Sequence, residues 1–266
     1  MSQGTVRLDG DGSSVEVATG FGPRVVGLLV DGRNLFAELP DDDLEVPDGR
    51  RYRLRGGHRL WVAPEEPVVT YQPDDEPCDV TMTDGGIRID GPPDGAGIAK
   101  TIEMSPAADG WVVDHTIANR GPASRRVGPW AITQLRAGGR ATLALGGDRD
   151  GMQADRAVVL WPYTDPSDPR LRLTRDAVEV AAAAGMPTKV GVAGGTGEGV
   201  YELDGVRLRK RVAVRTDAAY ADLGAAVQVY VHDRFCELET LGPLVDLAPG
   251  EAVTHREEWS VSGARP

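Results

Sequence analysis

One stretch of the sequence indicates both a strand of the fold and a candidate site: Val229-Tyr-Val-His-Asp-Arg-Phe-Cys-Glu-Leu-Glu-Thr-Leu-Gly-Pro243. It begins with β-branched and aromatic residues and ends in a Gly-Pro pair, which predicts a strand from Phe235 to Leu241. Side chains alternate along a strand, so the odd-numbered residues share one face and the even-numbered residues share the other. Glu237 and Glu239 therefore lie on one face, roughly 7 Å apart.

Two carboxylates on one strand face are costly unless that face is solvated, paired or functional. The even face, with Cys236 and Leu238, suits a packed core. We expect the odd face to line a polar cleft in which Glu239 is the working acid. A solvated face of an antiparallel sheet explains the same pattern equally well.

The composition predicts an all-β fold. The chain of 266 residues has 34 Gly, 19 Pro and few aromatic residues, which is typical of many short strands joined by tight turns. We expect about fifteen or more strands, mostly antiparallel and with little helix, in a single domain over residues 1–266. In Thr174–Ala184 an Ala run favours a helix, whereas Val178-Glu-Val180 favours a strand. The Arg-rich strand Val206–Val214 is predicted to be a solvated edge.

Charge and cysteine content restrict the partners and the compartment. The net charge of −12 argues against a nucleic acid or an anionic membrane as partner. No apolar signal core and no membrane-length apolar run is present. Cys78 and Cys236 do not make a disulfide scaffold, so we expect a cytoplasmic protein with reduced thiols.

An early segment combines glycine, arginine and tryptophan. In Leu54–Glu65, Gly56-Gly57 lets the backbone bend or approach a ligand closely. In the strand that follows, Arg59 and Trp61 share one face and His58 lies on the other. A guanidinium offers donors for sugar hydroxyls, and an indole offers a flat platform for the C–H face of a sugar. A structural cation–π pair or a core tryptophan is the alternative.

Three later segments add candidate binding residues. The strand Val127–Leu135 places Trp130 on one face with the amide of Gln134, which suits hydroxyl recognition or a core tryptophan. The loop Leu160–Pro169 contains three prolines and cannot be regular, so it borders a cleft or forms a rigid connection. Lys189 lies at the start of a predicted strand.

Common catalytic and metal motifs are absent from the sequence. It has no CxxC pair, no HExxH and no Gly-x-Ser-x-Gly elbow. The four His and two Cys residues are scattered, so we expect neither a metal nor a cofactor. What remains is carboxylate and imidazole chemistry, or binding without catalysis.

Several of these segments together resemble the aldose 1-epimerase (galactose mutarotase-like) superfamily. Cys236-Glu-Leu-Glu-Thr-Leu-Gly-Pro243, Leu247-Ala-Pro-Gly-Glu251 and Glu258-Trp-Ser260 are similar to the family's end, a Leu-Glu-Thr strand with the catalytic base, a turn and a closing strand. Gly57-His-Arg-Leu60 resembles its segment with the sugar-binding Arg, and Thr116-Ile-Ala-Asn119 its Thr-x-x-Asn turn. The pattern resembles a branch separate from the typical enzymes.

The resemblance implies a galactose mutarotase-like β-supersandwich with a sugar-sized cleft on a curved sheet. It also implies opening and reclosure of a hexose ring, in which a base takes the proton of the anomeric hydroxyl and an acid protonates the ring oxygen. Glu239 occupies the family's base position, and Arg59 its sugar-binding position.

One position departs from the family pattern. Typical members carry a catalytic His after the Asn turn, but the matching stretch Val127-Gly-Pro-Trp-Ala-Ile132 has none. His58, or else Lys189, must then supply the acid. The remaining residues expected to hold the sugar are Arg59, Trp61, Trp130 and Glu237.

Three functions are consistent with these residues. The first is an aldose 1-epimerase-like isomerase that acts on a small sugar. The second is a non-catalytic sugar-binding protein on the same scaffold, favoured by the missing His. The third is a cleft adapted to another ligand or to a protein contact.

Overall fold

The computed structural model describes residues 4–147 and 150–263, and nearly all regular structure in them is β-strand. The first strands are β1 Thr5–Asp9, β2 Ser14–Ala18, β3 Arg24–Val30, β4 Arg33–Asn34, β5 Glu38–Glu45 and β6 Arg51–Ala63. A one-turn helix follows, α1 Pro67–Thr70. The next strands are β7 Asp79–Thr83, β8 Gly86–Asp90, β9 Ile98–Ala107, β10 Gly110–Asn119, β11 Arg125–Arg136 and β12 Arg140–Ala144.

The second half continues the pattern. Its strands are β13 Ala157–Leu160, β14 Leu171–Leu173, β15 Ala177–Ala181, β16 Thr188–Ala193, β17 Glu198–Leu203, β18 Val206–Arg211, β19 Ala225–Val231, β20 Phe235–Leu241, β21 Val245–Leu247 and β22 Ala252–Ser262. A 3₁₀ turn at Asp222–Gly224 precedes β19. No helix in the described ranges is long and apolar enough to cross a membrane.

The strands form two large antiparallel sheets. The first has the order β1-β2-β3-β6-β11-β20-β19-β16-β13, with β4, β5 and β21 attached to β3, β6 and β11. The second has the order β14-β15-β12-β17-β18-β22-β10-β9-β8-β7. The expected all-β sandwich is confirmed. In the first sheet β11 lies between β6 and β20, so the early Arg-Trp segment and the late acidic strand flank the same neighbour.

The main apolar core draws side chains from both sheets. Leu60, Ile102, Leu143, Leu208 and Leu238 all belong to it and are at most 3% exposed. Burial of one such side chain contributes about 1.5–3 kcal/mol. The even face of β20 packs into this core, so its odd face turns away from the second sheet, as the alternation predicts.

Two glycines let β6 change neighbours. Gly56 and Gly57 have φ values of 80° and 74°, in the left-handed region that favours glycine. A Cβ on Gly56 would lie 1.8 Å from the carbonyl oxygen of Ala37, and one on Gly57 would lie 2.3 Å from that of Val25. The close approach of β5 and β3 therefore requires glycine at both positions. Beyond this point β6 pairs with β11 and presents its alternating faces to the core and to the cleft.

One segment with an ambiguous pattern is a strand, and one strand predicted to be an edge is not. Thr174–Ala184 contains strand β15, which pairs with β12 and β14, so cross-strand pairing of the Val-Glu-Val segment overrides the helix propensity of the alanines. The prediction that the Arg-rich strand is an edge is wrong, because β18 pairs with β17 on one side and β22 on the other.

Candidate functional site

A cavity of about 500 Å³ opens on the face of the first sheet that turns away from the core. Its size is in the usual range for small-molecule sites. The aromatic residues that line it are Trp61, Tyr71, Trp130, Tyr163, Tyr230 and Phe235. The charged residues that line it are Asp43, Arg59, Glu65, Lys189, Arg234 and Glu237. The cavity thus combines flat apolar rings with hydrogen-bonding groups.

Strand register explains why these side chains meet. Trp61 on β6 is opposite Trp130 on β11. Two residues earlier on β6, Arg59 is opposite Ile132. Ile132 is in turn opposite Glu239 on β20. Because residues opposite each other in a sheet point to the same face, the early and late candidate residues share one surface.

Arg59 keeps part of its hydrogen-bonding capacity free of protein partners. Its Nη2 donates to Glu237 Oε1 at 2.9 Å, and its guanidinium carbon lies 4.3 Å from the centre of the Trp61 ring. Nε and Nη1 have no hydrogen-bond partner in the protein, although the residue is 2% exposed. Buried donors of this kind are costly unless a ligand or water satisfies them. Arg59 therefore offers donors to a bound hydroxyl.

Trp61 is held in place by a buried network that the sequence did not indicate. Its Nε1 donates to the Tyr52 hydroxyl at 3.0 Å. Arg24, fully buried, donates to the same hydroxyl at 2.9 Å and to Asp74 at 2.6 Å. Tyr52 in turn donates to Asp74 at 3.1 Å. These bonds fix the indole that forms one wall of the cavity.

Glu239 and Lys189 form a buried ion pair beside the cavity. Glu239 Oε2 accepts hydrogen bonds from Lys189 Nζ and from Trp130 Nε1, each at 2.8 Å. Lys189 Nζ also lies 4.6 Å from the Trp130 ring centre and 4.8 Å from that of Trp161, within the range of cation–π attraction. Glu239 is fully buried and its Oε1 has no hydrogen-bond partner in the protein. That oxygen is an unused acceptor, although Glu239 itself does not line the cavity.

The environment of Glu239 raises its pKa. The pKa is raised to about 7, chiefly by burial, because loss of hydration disfavours the carboxylate. The nearby carboxylate of Glu237 adds to this increase, and the positive charge of Lys189 opposes it. A group with a pKa near 7 is populated in both forms at neutral pH, as a group that takes up and returns a proton requires.

The proline-rich loop is part of the cavity. Thr164 Oγ1 donates to the Lys189 carbonyl at 2.6 Å and accepts from the Lys189 N–H at 2.9 Å. This double contact holds the loop against β16, where Trp161 packs on the Lys189 ammonium and Tyr163 lines the cavity. Of the two alternatives for the 160–169 loop, a border of the cleft is the one observed.

The structure does not bring His58 to the cavity. Alternation along β6 places its ring on the opposite face from Arg59, fully buried between the sheets. Its Nε2 lies 2.6 Å from His115 Nε2, and its Nδ1 lies 2.9 Å from Thr133 Oγ1. The expectation that His58 acts as the acid is therefore corrected: a sheet separates it from the cavity.

Hydrogen-bond donors determine the tautomers of this buried group. Lys210 can only donate, so its 2.9 Å contact leaves the Thr133 hydroxyl hydrogen free to reach His58 Nδ1. His58 Nε2–H then donates to His115 Nε2, and His115 Nδ1–H donates to the His255 carbonyl at 3.2 Å. The chain is complete with both imidazoles neutral. Burial lowers the pKa of His58 and of His115, in agreement.

The same cluster has a metal-like composition. His58, His115 and Glu257 bring ligand atoms within 4.8 Å of one another. Glu257 already accepts hydrogen bonds from Trp259 at 2.7 Å and from Thr240 at 2.5 Å. Lys210 Nζ lies 2.7 Å from its carboxylate and neutralises it. The group is best described as a hydrogen-bonded network that joins the two sheets.

Carboxylates outnumber cations around the cavity. Each cation that lines it contacts a carboxylate: Arg59 with Glu237, Lys189 with Glu239 and Arg234 with Asp42. Asp43 and Glu65 add further carboxylates to the lining. A site in which every lining cation is already paired favours a neutral ligand over an anionic one.

Most of the candidate residues meet in one place. Arg59, Trp61, Trp130, Lys189 and Glu237 line the cavity, and Glu239 is bonded to two of them.

Several residues that line the cavity were not predicted from the sequence. These are Leu44, Glu65, Tyr71, Tyr230, His232 and Arg234. Tyr230 had a usable signal, since it lies in the quoted stretch and is opposite Glu237 in the sheet.

No family model matches the sequence, and no curated protein matches it. Solved structures do match in fold. A protein from Escherichia coli K12, provisionally assigned as an aldose 1-epimerase, is 14% identical with a TM-score of 0.61 and covers 98% of this chain and 100% of its own. A galactose mutarotase-like protein from Lactobacillus casei is 9% identical with a TM-score of 0.61, covering 97% of this chain and 100% of its own.

A galactose mutarotase-related enzyme from Lactobacillus acidophilus is 9% identical with a TM-score of 0.53, and the match covers 98% of each chain. At these identities the likeness concerns the course of the backbone and not the ligand. It agrees with the two antiparallel sheets and with the resemblance of the late acidic strand. The chain therefore has the fold of the aldose 1-epimerase and galactose mutarotase-like superfamily.

Proposed function

We propose that this chain binds a neutral aldose in the cavity and interconverts its anomers, with Glu239 as base and Lys189 as acid. The observation that supports this most strongly is the buried pair, in which Lys189 Nζ lies 2.8 Å from Glu239 Oε2 beside a wall of indole rings. Arg59 and Glu237 supply donors and acceptors for the remaining hydroxyls.

The separation of the pair suits the reaction. The anomeric hydroxyl oxygen and the ring oxygen are both bonded to C1, so a proton acceptor and a proton donor must reach two neighbouring atoms. Glu239 takes the proton of the anomeric hydroxyl while Lys189 gives a proton to the ring oxygen. The bond between C1 and the ring oxygen then breaks, which leaves an aldehyde at C1. Rotation about the C1–C2 bond exposes the other aldehyde face. When the ring closes, Glu239 returns its proton to the anomeric oxygen. The hydroxyl that attacks C1 gives its proton to Lys189.

Access to Glu239 requires motion of one side chain. Glu239 is fully buried, whereas Lys189 lines the cavity and is 5% exposed. Contact between the sugar and the carboxylate therefore requires that Lys189 shift when the sugar enters. The lysine side chain has four rotatable bonds, and it stays within reach of the ring oxygen in the proposed complex.

The direct test is mutarotation by the wild-type chain. Freshly dissolved α-anomers of neutral hexoses and pentoses are followed by polarimetry, with sugar phosphates as the anionic comparison. We expect acceleration above the buffer rate for at least one neutral aldose and weaker acceleration for its phosphate, because the cavity cations are already paired. No acceleration across the panel would reject catalysis.

The pH dependence follows from the pKa of Glu239. The base must be ionised, and its pKa is raised to about 7. We expect kcat/KM to rise about tenfold per pH unit below 7 and to level off above it, since this parameter reports groups of the free enzyme. Initial rates between about pH 5.5 and 8.5, corrected for buffer catalysis at each point, measure the profile. A flat profile through this window contradicts the assignment of Glu239 as base.

A sugar-binding protein without catalysis is the second candidate. It is favoured because Lys189 is held by Glu239 and by two indoles, so the ion pair leaves Glu239 buried. Titration calorimetry separates the two functions. Binding of an aldose that persists in Glu239→Gln, with no mutarotation by the wild-type chain, would establish the binding protein.

A further inference from the structure

The mouth of the cavity carries several exposed apolar side chains. Leu44 is 36% exposed, Tyr163 50% and Met186 79%, and all three line the cavity. Two of the charged residues that line the cavity are much less exposed, Arg59 at 2% and Lys189 at 5%. Single exposed apolar side chains need no explanation. Three at one opening provide apolar surface for the part of a ligand that extends outward from the buried site.

The cavity is also larger than one sugar ring needs. A hexose has twelve non-hydrogen atoms, and even at the volume of a water molecule in the liquid they fill at most about 360 Å³. Bonded atoms pack closer than this, so the true volume is smaller. The cavity measures about 500 Å³. A single ring at the buried end leaves the mouth unfilled.

The mouth has mixed polarity. Asp43, His232 and Arg234 also line the cavity, and they add hydrogen-bonding groups to the apolar surface of Tyr163 and Met186. A hydrocarbon chain would offer these polar groups no hydrogen bonds, whereas a sugar ring has both a C–H face and hydroxyls.

The mouth and the buried end are mechanically connected. Met186 lies three residues before Lys189 on the segment leading into β16. Tyr163 belongs to the loop that Thr164 ties to the backbone of Lys189, and its ring packs edge-on against Tyr230 at 6.4 Å. Tyr163 is therefore held close to the Lys189–Glu239 pair, and Met186 lies near the pair along the chain.

We propose that the ligand is a reducing disaccharide, or the reducing end of a longer chain, and not a free monosaccharide. This rests on the proposed function. The reducing ring lies at Lys189 and Glu239, and the second ring packs against Tyr163 and Met186. The anomeric hydroxyl stays free at the buried end, so the proposed proton transfers are unchanged.

The test compares sugars with the same reducing ring. Mutarotation of maltose, cellobiose and lactose is measured against that of glucose. For the preferred disaccharide we expect a kcat/KM about tenfold above that of glucose, the effect of one additional well-packed contact surface. In Tyr163→Ala this ratio is expected to fall at least about fivefold. Leu173→Ala is the matched control, because Leu173 is 67% exposed on β14 of the second sheet and should leave the ratio unchanged.

Each outcome decides between the two proposals. Equal kcat/KM for glucose and all three disaccharides overturns the disaccharide inference and leaves the isomerase proposal standing. If no sugar is turned over, quenching of the fluorescence of Trp61 and Trp130 measures binding instead. Disaccharides that bind about tenfold tighter than glucose then support the inference about ligand length, while catalysis is rejected. Equal binding, or none, overturns the inference.

Discussion

Replacing Glu239 by Gln is expected to lower enzyme-catalysed mutarotation by about 10²–10⁴-fold, the usual contribution of a positioned base. The amide keeps the size of the side chain, and its oxygen still accepts from Lys189 or Trp130, which both bond to Oε2 in the wild type. What it loses is the ability to take the proton of the anomeric hydroxyl. Polarimetry at about pH 7.5, above the pKa of Glu239, measures the effect.

Two companion variants separate chemistry from binding and from folding. Glu258→Gln removes one exposed carboxylate from β22 in the second sheet and should leave the rate within about twofold of the wild type. Lys189→Met should lower kcat while thermal unfolding confirms that the variant is folded. A Glu239→Gln variant that keeps half of the wild-type rate would show that another group acts as the base.

Replacing Lys210 by Met is expected to destabilise the protein by about 3–5 kcal/mol, the usual cost of breaking a buried ion pair from one side. Lys210 and Glu257 are both fully buried between the sheets. Without the ammonium, the Glu257 carboxylate stays buried with only its neutral donors, Thr240 and Trp259. Urea unfolding followed by tryptophan fluorescence at about pH 7.5 measures the change in free energy of unfolding.

A double variant tests the physical reason. Adding Glu257→Gln to Lys210→Met removes the uncompensated charge, so the double variant should be more stable than Lys210→Met alone. A double variant that is less stable would show that packing, and not charge, sets the loss. Glu258→Gln, next to Glu257 but exposed, should change the free energy of unfolding by less than about 0.5 kcal/mol.

The pH dependence of stability has the same origin. Burial raises the pKa of Glu257, but the charge of Lys210 outweighs this effect and holds the pKa well below its ordinary value of 4.5. Its contribution is therefore present above pH 4.5 and is lost as the pH falls below that value. Burial also lowers the pKa of His255 to about 3, so the unfolded chain takes up that proton first. Both groups make the fold less stable as the pH falls.

The two-residue alternation along each strand was enough to predict which side chains share a strand face. Alternation along one strand correctly grouped Glu237 with Glu239 and assigned Leu238 to the core, and along another it grouped Arg59 with Trp61. The same alternation placed His58 opposite Arg59, which argues against a shared site. Only the family resemblance pointed to His58 as the acid, because His58 is next to the position of the sugar-binding Arg in the sequence.

The two-residue alternation could not identify which charged residues belong to the core. Lys210 lies in an Arg-rich run that was assigned to a solvated edge, yet it is fully buried on the face it shares with Leu208. Its partner Glu257 is on a different strand, β22, which pairs with β18. A buried lysine is tolerated only with such a partner, and the partner cannot be seen in a window around Lys210.

The sequence by itself determined that this protein is built from antiparallel strands and which side chains share a face of each strand, because side-chain direction depends only on the local alternation of the backbone. Only the tertiary structure decided that β6, β11, β20 and β16 lie close enough for Arg59, Trp130, Glu239 and Lys189 to meet. Strand pairing between distant segments depends on hydrogen bonds and core packing across the whole sheet, and neither is encoded in a local period.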